Sequence, residues 1–174
     1  MAFVGAGAND YHEIYVSTVK PFQPKRITSM SDQLKEFRLA TREVIQWKST
    51  DGTTIEGILI KPAGFDPSRK YPLILQIHGG PHAAYGATFT HEFLWMAARG
   101  YVVVYTNPRG STTYGQRFGN LIQHRYPGDD YRDIMAALDE VVSRGYVDQT
   151  RLGVTGGSGG GLLTNWVVGS TARL

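Results

Sequence analysis

The sequence of 174 residues contains no cysteine, which excludes disulfide bridges, thiol nucleophiles and thiolate metal sites together. It also lacks any block of like charge. Its 18 Lys and Arg residues are interleaved with 15 Asp and Glu, for a net charge of +3. That mixture describes a solvated surface, not a nucleic-acid footprint. No long apolar run is present, and Met1–Asp10, although small and apolar, has no basic flank. The segment therefore reads as neither a secretory signal nor a membrane anchor, and the compartment stays open between cytoplasm and export. Metal-ligand spacing is missing too. His12, His82, His91 and His124 form no H-E-x-x-H pattern, since His91-Glu92 has no second histidine, and all four read as surface or loop residues. No metal or organic cofactor is expected.

What is present describes a folded domain. Apolar residues make up 41% and charged residues 19% of a chain long enough for one real core. Glu13–Ser17 reads as a short strand ended by Pro21 and Pro24, and Ser29–Arg42 as a polar connector. Glu43–Lys48 and Thr53–Ile60 flank Asp51-Gly52, the pattern of a β-hairpin. Beyond the loop Pro62–Pro72 the pattern alternates. Leu73–Ile77 and Tyr101–Tyr105 are runs suited to strands buried on both faces, and Arg151–Thr155 reads as a third strand. Between and after them, Phe89, Phe93, Met96 and Ala97, then Tyr131 to Val142, then Leu162 to Val168, recur at helical spacing. Gly100 and Gly145 stand where C-caps belong. This alternation predicts an α/β fold, a parallel sheet with crossover helices preceded by an antiparallel hairpin.

Two constellations carry chemistry. Gly156-Gly157-Ser158-Gly159-Gly160 fits G-x-S-x-G, with a strand leading in and a helix leading out, so Ser158 is the expected nucleophile on a strained elbow. Gly156 and Gly160 would let neighbouring segments approach without a Cβ in the way. A phosphate-binding turn is disfavoured, since no G-x-G-x-x-G can be laid over Gly153–Gly161 and no lysine follows. His78-Gly79-Gly80-Pro81 follows directly on the strand Leu73–Ile77. Acyl transfer builds charge on the substrate carbonyl oxygen, and two backbone N–H donors can hold it, here expected from Gly80 and Gly159. By contrast, Asp129, Asp130 and Asp133 read as acidic residues favoured at a helix N-terminus rather than as a catalytic pair.

Together these residues resemble the catalytic domain of the prolyl oligopeptidase family of serine peptidases, nearest its acylaminoacyl-peptidase and dipeptidyl-peptidase branches. The matching pieces are Trp47–Gly52, His78–His82, Asn107–Ser111 with Tyr114-Gly115, Asp130–Met135 and Val147–Ser158, in family order. The resemblance implies an α/β-hydrolase fold for residues 31–174, incomplete at its C-terminus, and a remnant of the last β-propeller strands in residues 1–30. One departure is Gly159, where the family often has an aromatic residue. The other is that the family order is Ser, Asp, His, whereas every histidine here precedes Ser158. The triad aspartate and histidine are then expected outside this segment, and the isolated chain is expected to lack triad-dependent turnover.

The implied function is hydrolysis of short peptides through a Ser158 acyl-enzyme, with a peptide substrate and no nucleic-acid or membrane partner. A homo-oligomer is compatible with the sequence. Two alternatives stay open: an esterase of the same fold, and a non-catalytic interaction module pairing through an open sheet edge.

Overall fold

The structure, a computed structural model, describes residues 1–174. Two sheets divide the chain. The smaller is antiparallel and contains β1 (Ala2–Gly5), β2 (Glu13–Val16) and β3 (Lys25–Arg26) in that order. Its apolar side chains are largely exposed, and it is tied by polar contacts to the segment that leads into the main sheet. The buried Glu13 carboxylate accepts the Thr28 hydroxyl at 2.5 Å and the backbone N–H groups of Met30 and Ser31 at 3.1 and 2.7 Å. These bonds, the Thr28 hydroxyl foremost, hold its pKa down at about 2. A 3-10 turn, Met30–Leu34, then leads to the main sheet.

The main sheet has five strands: β4 (Thr41–Lys48), β5 (Thr54–Lys61), β6 (Tyr71–Ile77), β7 (Val102–Asn107) and β8 (Val147–Gly156). Their spatial order is β4-β5-β7-β6-β8. The β4–β5 hairpin is antiparallel and turns at Asp51-Gly52, where Asp51 Oδ1 accepts the Thr53 N–H at 3.0 Å. β5 pairs antiparallel with β7, while β7, β6 and β8 run parallel. Helix α1 (His91–Ala98) lies between β6 and β7 in sequence. A short turn of helix, α2 (Gln116–Gly119), and then α3 (Asp129–Ser143) lie between β7 and β8, and α4 (Gly159–Ser170) follows β8.

Strand alternation divides the core. Ile58 and Ile60 of β5 and Val103 and Tyr105 of β7 pack against Phe93, Leu94 and Ala97 of α1. Ile55, Leu59, Val102, Val104, Leu73, Leu75 and Ile77 point the other way, against Ile134, Leu138 and Val141 of α3 and Leu163 and Val167 of α4. Each fully buried aliphatic side chain contributes about 1.5–3 kcal/mol, so the sheet is stabilised from both faces. α1 covers one face and α3 with α4 the other, so the chain leaves the adjacent ends of β6 and β8 in different directions. In open α/β sheets such a switch point is where ligands bind.

The α/β class, the hairpin and the alternation agree with the sequence reading, and Gly100 and Gly145 do follow their helices with φ of 91° and 86°. Several boundaries differ: the expected loop Pro62–Pro72 gives Tyr71 and Pro72 to β6, and the first helix begins at His91, leaving Phe89 outside it. β1 and β3 are additions to the expected strands, being short and held mainly by backbone pairing with β2. The last strand begins at Val147, not Arg151, because Tyr71 pairs with Val147 ahead of an irregularity in the register. α4 begins at Gly159, not Leu162, since helical backbone runs through glycines whose propensity argues against it. Finally, the expected connector up to Arg42 gives its last residues, Thr41 and Arg42, to β4.

Candidate active site

Ser158 stands between the last residue of β8 and the first of α4, and its backbone lies at φ 56° and ψ −121°. For a residue with a Cβ that conformation costs on the order of 1–3 kcal/mol, and it persists only when the surroundings enforce it. They do so by close approach. A Cβ on Gly156 would lie 2.7 Å from the carbonyl oxygens of Gly160 and Ile77. One on Gly160 would lie 2.8 Å from the carbonyl oxygen of His78. Both expected elbow glycines thus sit where the end of β6, the end of β8 and the start of α4 meet.

The His78–Pro81 loop packs on this elbow. A Cβ on Gly79 would come within 2.9 Å of the Gly157 oxygen and 3.2 Å of Ser158 Cβ. A Cβ on Gly159 would lie 3.1 Å from the Gly80 oxygen. Gly80 and Gly159 are therefore neighbours across the turn that presents Ser158. Neither backbone N–H donates to a protein acceptor, and the Ser158 hydroxyl is likewise unpartnered on an exposed residue. Two free N–H groups beside a free hydroxyl, at the N-terminus of a helix, suit a developing negative charge.

No histidine hydrogen-bonds Ser158. His78 is buried, with Nε2 2.9 Å from the Ser111 hydroxyl and Nδ1 2.7 Å from the Gly79 oxygen. Burial pushes its pKa down. Its ring fastens the loop to the fold. His82 Nδ1 contacts the Gly110 oxygen at 3.0 Å, and His12, His82, His91 and His124 are all exposed, as their placement in the sequence suggests.

Two arrangements have no counterpart in the sequence reading. Arg109, 5% exposed, makes bonds from Nε and Nη2 to the Asp133 carboxylate, 2.6 Å at the shortest, and reaches Asp51 at 2.6 Å and the Ser49 hydroxyl at 3.1 Å. The hydrogen bonds to Asp133, with those to Asp51, raise its pKa further. Asp133 is therefore not a helix-terminal charge as expected: it lies in the second turn of α3, fully buried, paired with this guanidinium. Its backbone oxygen also accepts the Trp47 indole N–H at 3.0 Å. Asp129 and Asp130 do sit in the first turn of α3. The second is Tyr126, whose hydroxyl donates to the Gly159 carbonyl oxygen at 2.8 Å. Burial, with the charge of Asp130 adding to it, raises the phenol pKa and keeps it protonated. Nothing in the spacing of Tyr126 and Gly159 announces that meeting.

A cavity of about 720 Å³ lies elsewhere, lined by the start of β6, the end of α1 and the segment Leu34–Ala40. It contains none of the residues around Ser158, and the geometry of the elbow outweighs its size as a guide to chemistry.

A family model described as the prolyl oligopeptidase family matches residues 87–174. The uncharacterized peptidase YuxL of Bacillus subtilis is 45% identical over 178 residues, covering 94% of this chain and 27% of its own length. Dipeptidyl-peptidase 5 of Porphyromonas gingivalis is 36% identical over 124 residues, covering 70% of this chain and 18% of its own length. Among solved structures, the acylaminoacyl peptidase of Pyrococcus horikoshii superposes with a TM-score of 0.90 at 29% identity, over 99% of this chain and 28% of that one. The chain thus spans about a quarter of the length of such relatives, and its fold is that of an α/β hydrolase.

Proposed function

The chain belongs to the prolyl oligopeptidase family, and we propose that it is the part of a serine peptidase that carries the nucleophile, Ser158. The observation behind this reading is the elbow: a positive-φ serine with a free hydroxyl, packed against a loop that offers a second free N–H. In the proposed reaction Ser158 Oγ attacks the scissile carbonyl carbon of a short peptide. The carbonyl oxygen becomes an oxyanion held by the Gly80 and Gly159 N–H groups. Collapse expels the amine and leaves an acyl-enzyme, which water then hydrolyses. The Ser158 proton must go to a general base, and no histidine among residues 1–174 reaches it. That base and its orienting carboxylate are supplied from outside this segment, as the length of the relatives allows. Gly156 and Gly160 keep the turn tight. Residues 1–30 are the last strands of a preceding β-propeller, and 31–174 the incomplete hydrolase domain.

The test uses the longer protein that contains this segment. A fluorophosphonate probe labels Ser158, and Ser158→Ala removes both the label and the hydrolysis of peptide substrates. Turnover that survives Ser158→Ala defeats the reading. Turnover of nitrophenyl esters without any peptide assigns the same machinery to an esterase.

A further inference from the structure

Helix α4 opens on Gly159, Gly160 and Gly161. Each glycine is about 1 kcal/mol less favourable in a helix than alanine, so this is a weak first turn. Yet the Gly159 N–H is the donor that the proposed reaction needs held still, because an oxyanion site works by being organised before the charge appears. Something other than local propensity has to fix it.

Tyr126 meets that need. It lies between the 3-10 turn Asn120–Ile122 and α3, and its side chain packs against the core shared by α3 and α4. Anchored there, it donates its hydroxyl to the Gly159 oxygen at 2.8 Å. The phenol oxygen also depends on position 159 having no side chain, since a Cβ on Gly159 would lie 2.9 Å from it. We propose that Tyr126 is a positioning residue for the oxyanion hole: its hydroxyl pins the glycine turn of α4, at the close approach that the bare position 159 allows.

The inference rests on the proposed roles of Ser158 and Gly159. Tyr126 moves no proton in it. The phenol acts only by holding the Gly159 peptide, so its loss belongs in kcat and not in substrate binding. The tyrosine and the glycine also form an exclusive pair. With the phenol in place, a Cβ at 159 is crowded by that oxygen and by the Gly80 carbonyl. With the phenol oxygen gone, only the Gly80 carbonyl still crowds that Cβ.

The experiment compares four forms of the longer protein: wild type, Tyr126→Phe, Gly159→Ala and the double variant. Tyr126→Phe is expected to lower kcat on the order of tenfold, below the loss of a direct oxyanion donor. KM should stay within about twofold, and affinity for a peptide-aldehyde transition-state analogue should fall with kcat. The pH profile should not move. Hydrogen exchange by mass spectrometry should quicken in the peptide covering Gly159–Leu163. Gly159→Ala should lower kcat in both backgrounds, and by less in Tyr126→Phe, where only the Gly80 carbonyl still crowds the Cβ; general destabilisation would add the two losses instead. Unchanged exchange in Tyr126→Phe overturns the proposal whatever the activity, as does faster exchange with unchanged kcat. Turnover independent of Ser158 overturns the peptidase reading instead, and exchange then still decides whether Tyr126 pins the turn.

Discussion

Ser158 and Arg109 lie in two of the most conspicuous motifs of the chain, and their surroundings are opposite. The serine is exposed and strained, and its hydroxyl has no hydrogen-bond partner. The arginine is buried and bonded to two carboxylates and a hydroxyl, with every contact internal to the fold. A polar residue left unpaired at a crowded turn is available for chemistry, whereas one whose donors are met by the protein is committed to holding elements together. Arg109 joins the β4–β5 turn through Ser49 and Asp51 to α3 through Asp133, bridging the hairpin to the helix behind the sheet. Motif conspicuousness alone does not separate these two cases; hydrogen-bond satisfaction does.

The sharpest way to test that contrast is to remove each group and read both activity and stability. Ser158→Ala should reduce turnover of the longer protein by about 10⁴–10⁶-fold. It should shift the urea unfolding free energy of the chain by no more than about 0.5 kcal/mol, since the hydroxyl is exposed. Asp133→Ala should do the reverse at the level of the fold, costing about 3 kcal/mol because the buried guanidinium loses its buried carboxylate and keeps the exposed Asp51 as its nearest. A urea midpoint unmoved by Asp133→Ala would erase the distinction. A smaller effect comes from the strain at the elbow. Ser158→Gly, compared with Ser158→Ala so that neither has the hydroxyl, should be more stable by about 1 kcal/mol, because glycine accepts the positive φ.

The smallest expected effect is a pH dependence from the exposed side of the arginine hub. The N–H of Thr53 first, then the Thr53 hydroxyl and Arg109, hold the Asp51 pKa at about 2, below its ordinary 3.8. A depressed carboxylate stabilises the folded state fully above its unfolded pKa and loses that contribution as pH falls through the folded value. Asp51→Asn should therefore flatten a slight loss of stability between about pH 4 and pH 2. An acid titration with the same slope in both proteins would remove Asp51 from the hub.

The division of these roles is only partly legible in the sequence. The central strands β6 and β7 announce themselves by apolar runs, because burial on both faces leaves little room for polar residues. The hairpin declares itself through Asp51-Gly52, and the elbow through glycines that the close approach of β6, β8 and α4 demands. What stays hidden depends on contacts distant in sequence. Asp133 looks like a helix-terminal charge because its partner is Arg109, 24 residues earlier and across the α2 region. Tyr126 carries no sign of its bond to Gly159. Strands β1 and β3 escape because main-chain pairing, not side-chain pattern, defines them.

The order of the strands has a consequence for synthesis. β6, made early, is paired on one edge by β7 and on the other by β8, the last strand of this segment to leave a ribosome. Until residue 156 is available, the β8-facing edge of β6 stays open and the Gly80 loop has no serine turn to pack on. The second edge of β6 and the elbow are thus completed by the same late event, one that brings together strands far apart in the chain and is slow for that reason. A growing chain that stalls before β8 presents an unpaired strand and an unformed nucleophile together. The strand that closes this edge of the sheet also arms the serine.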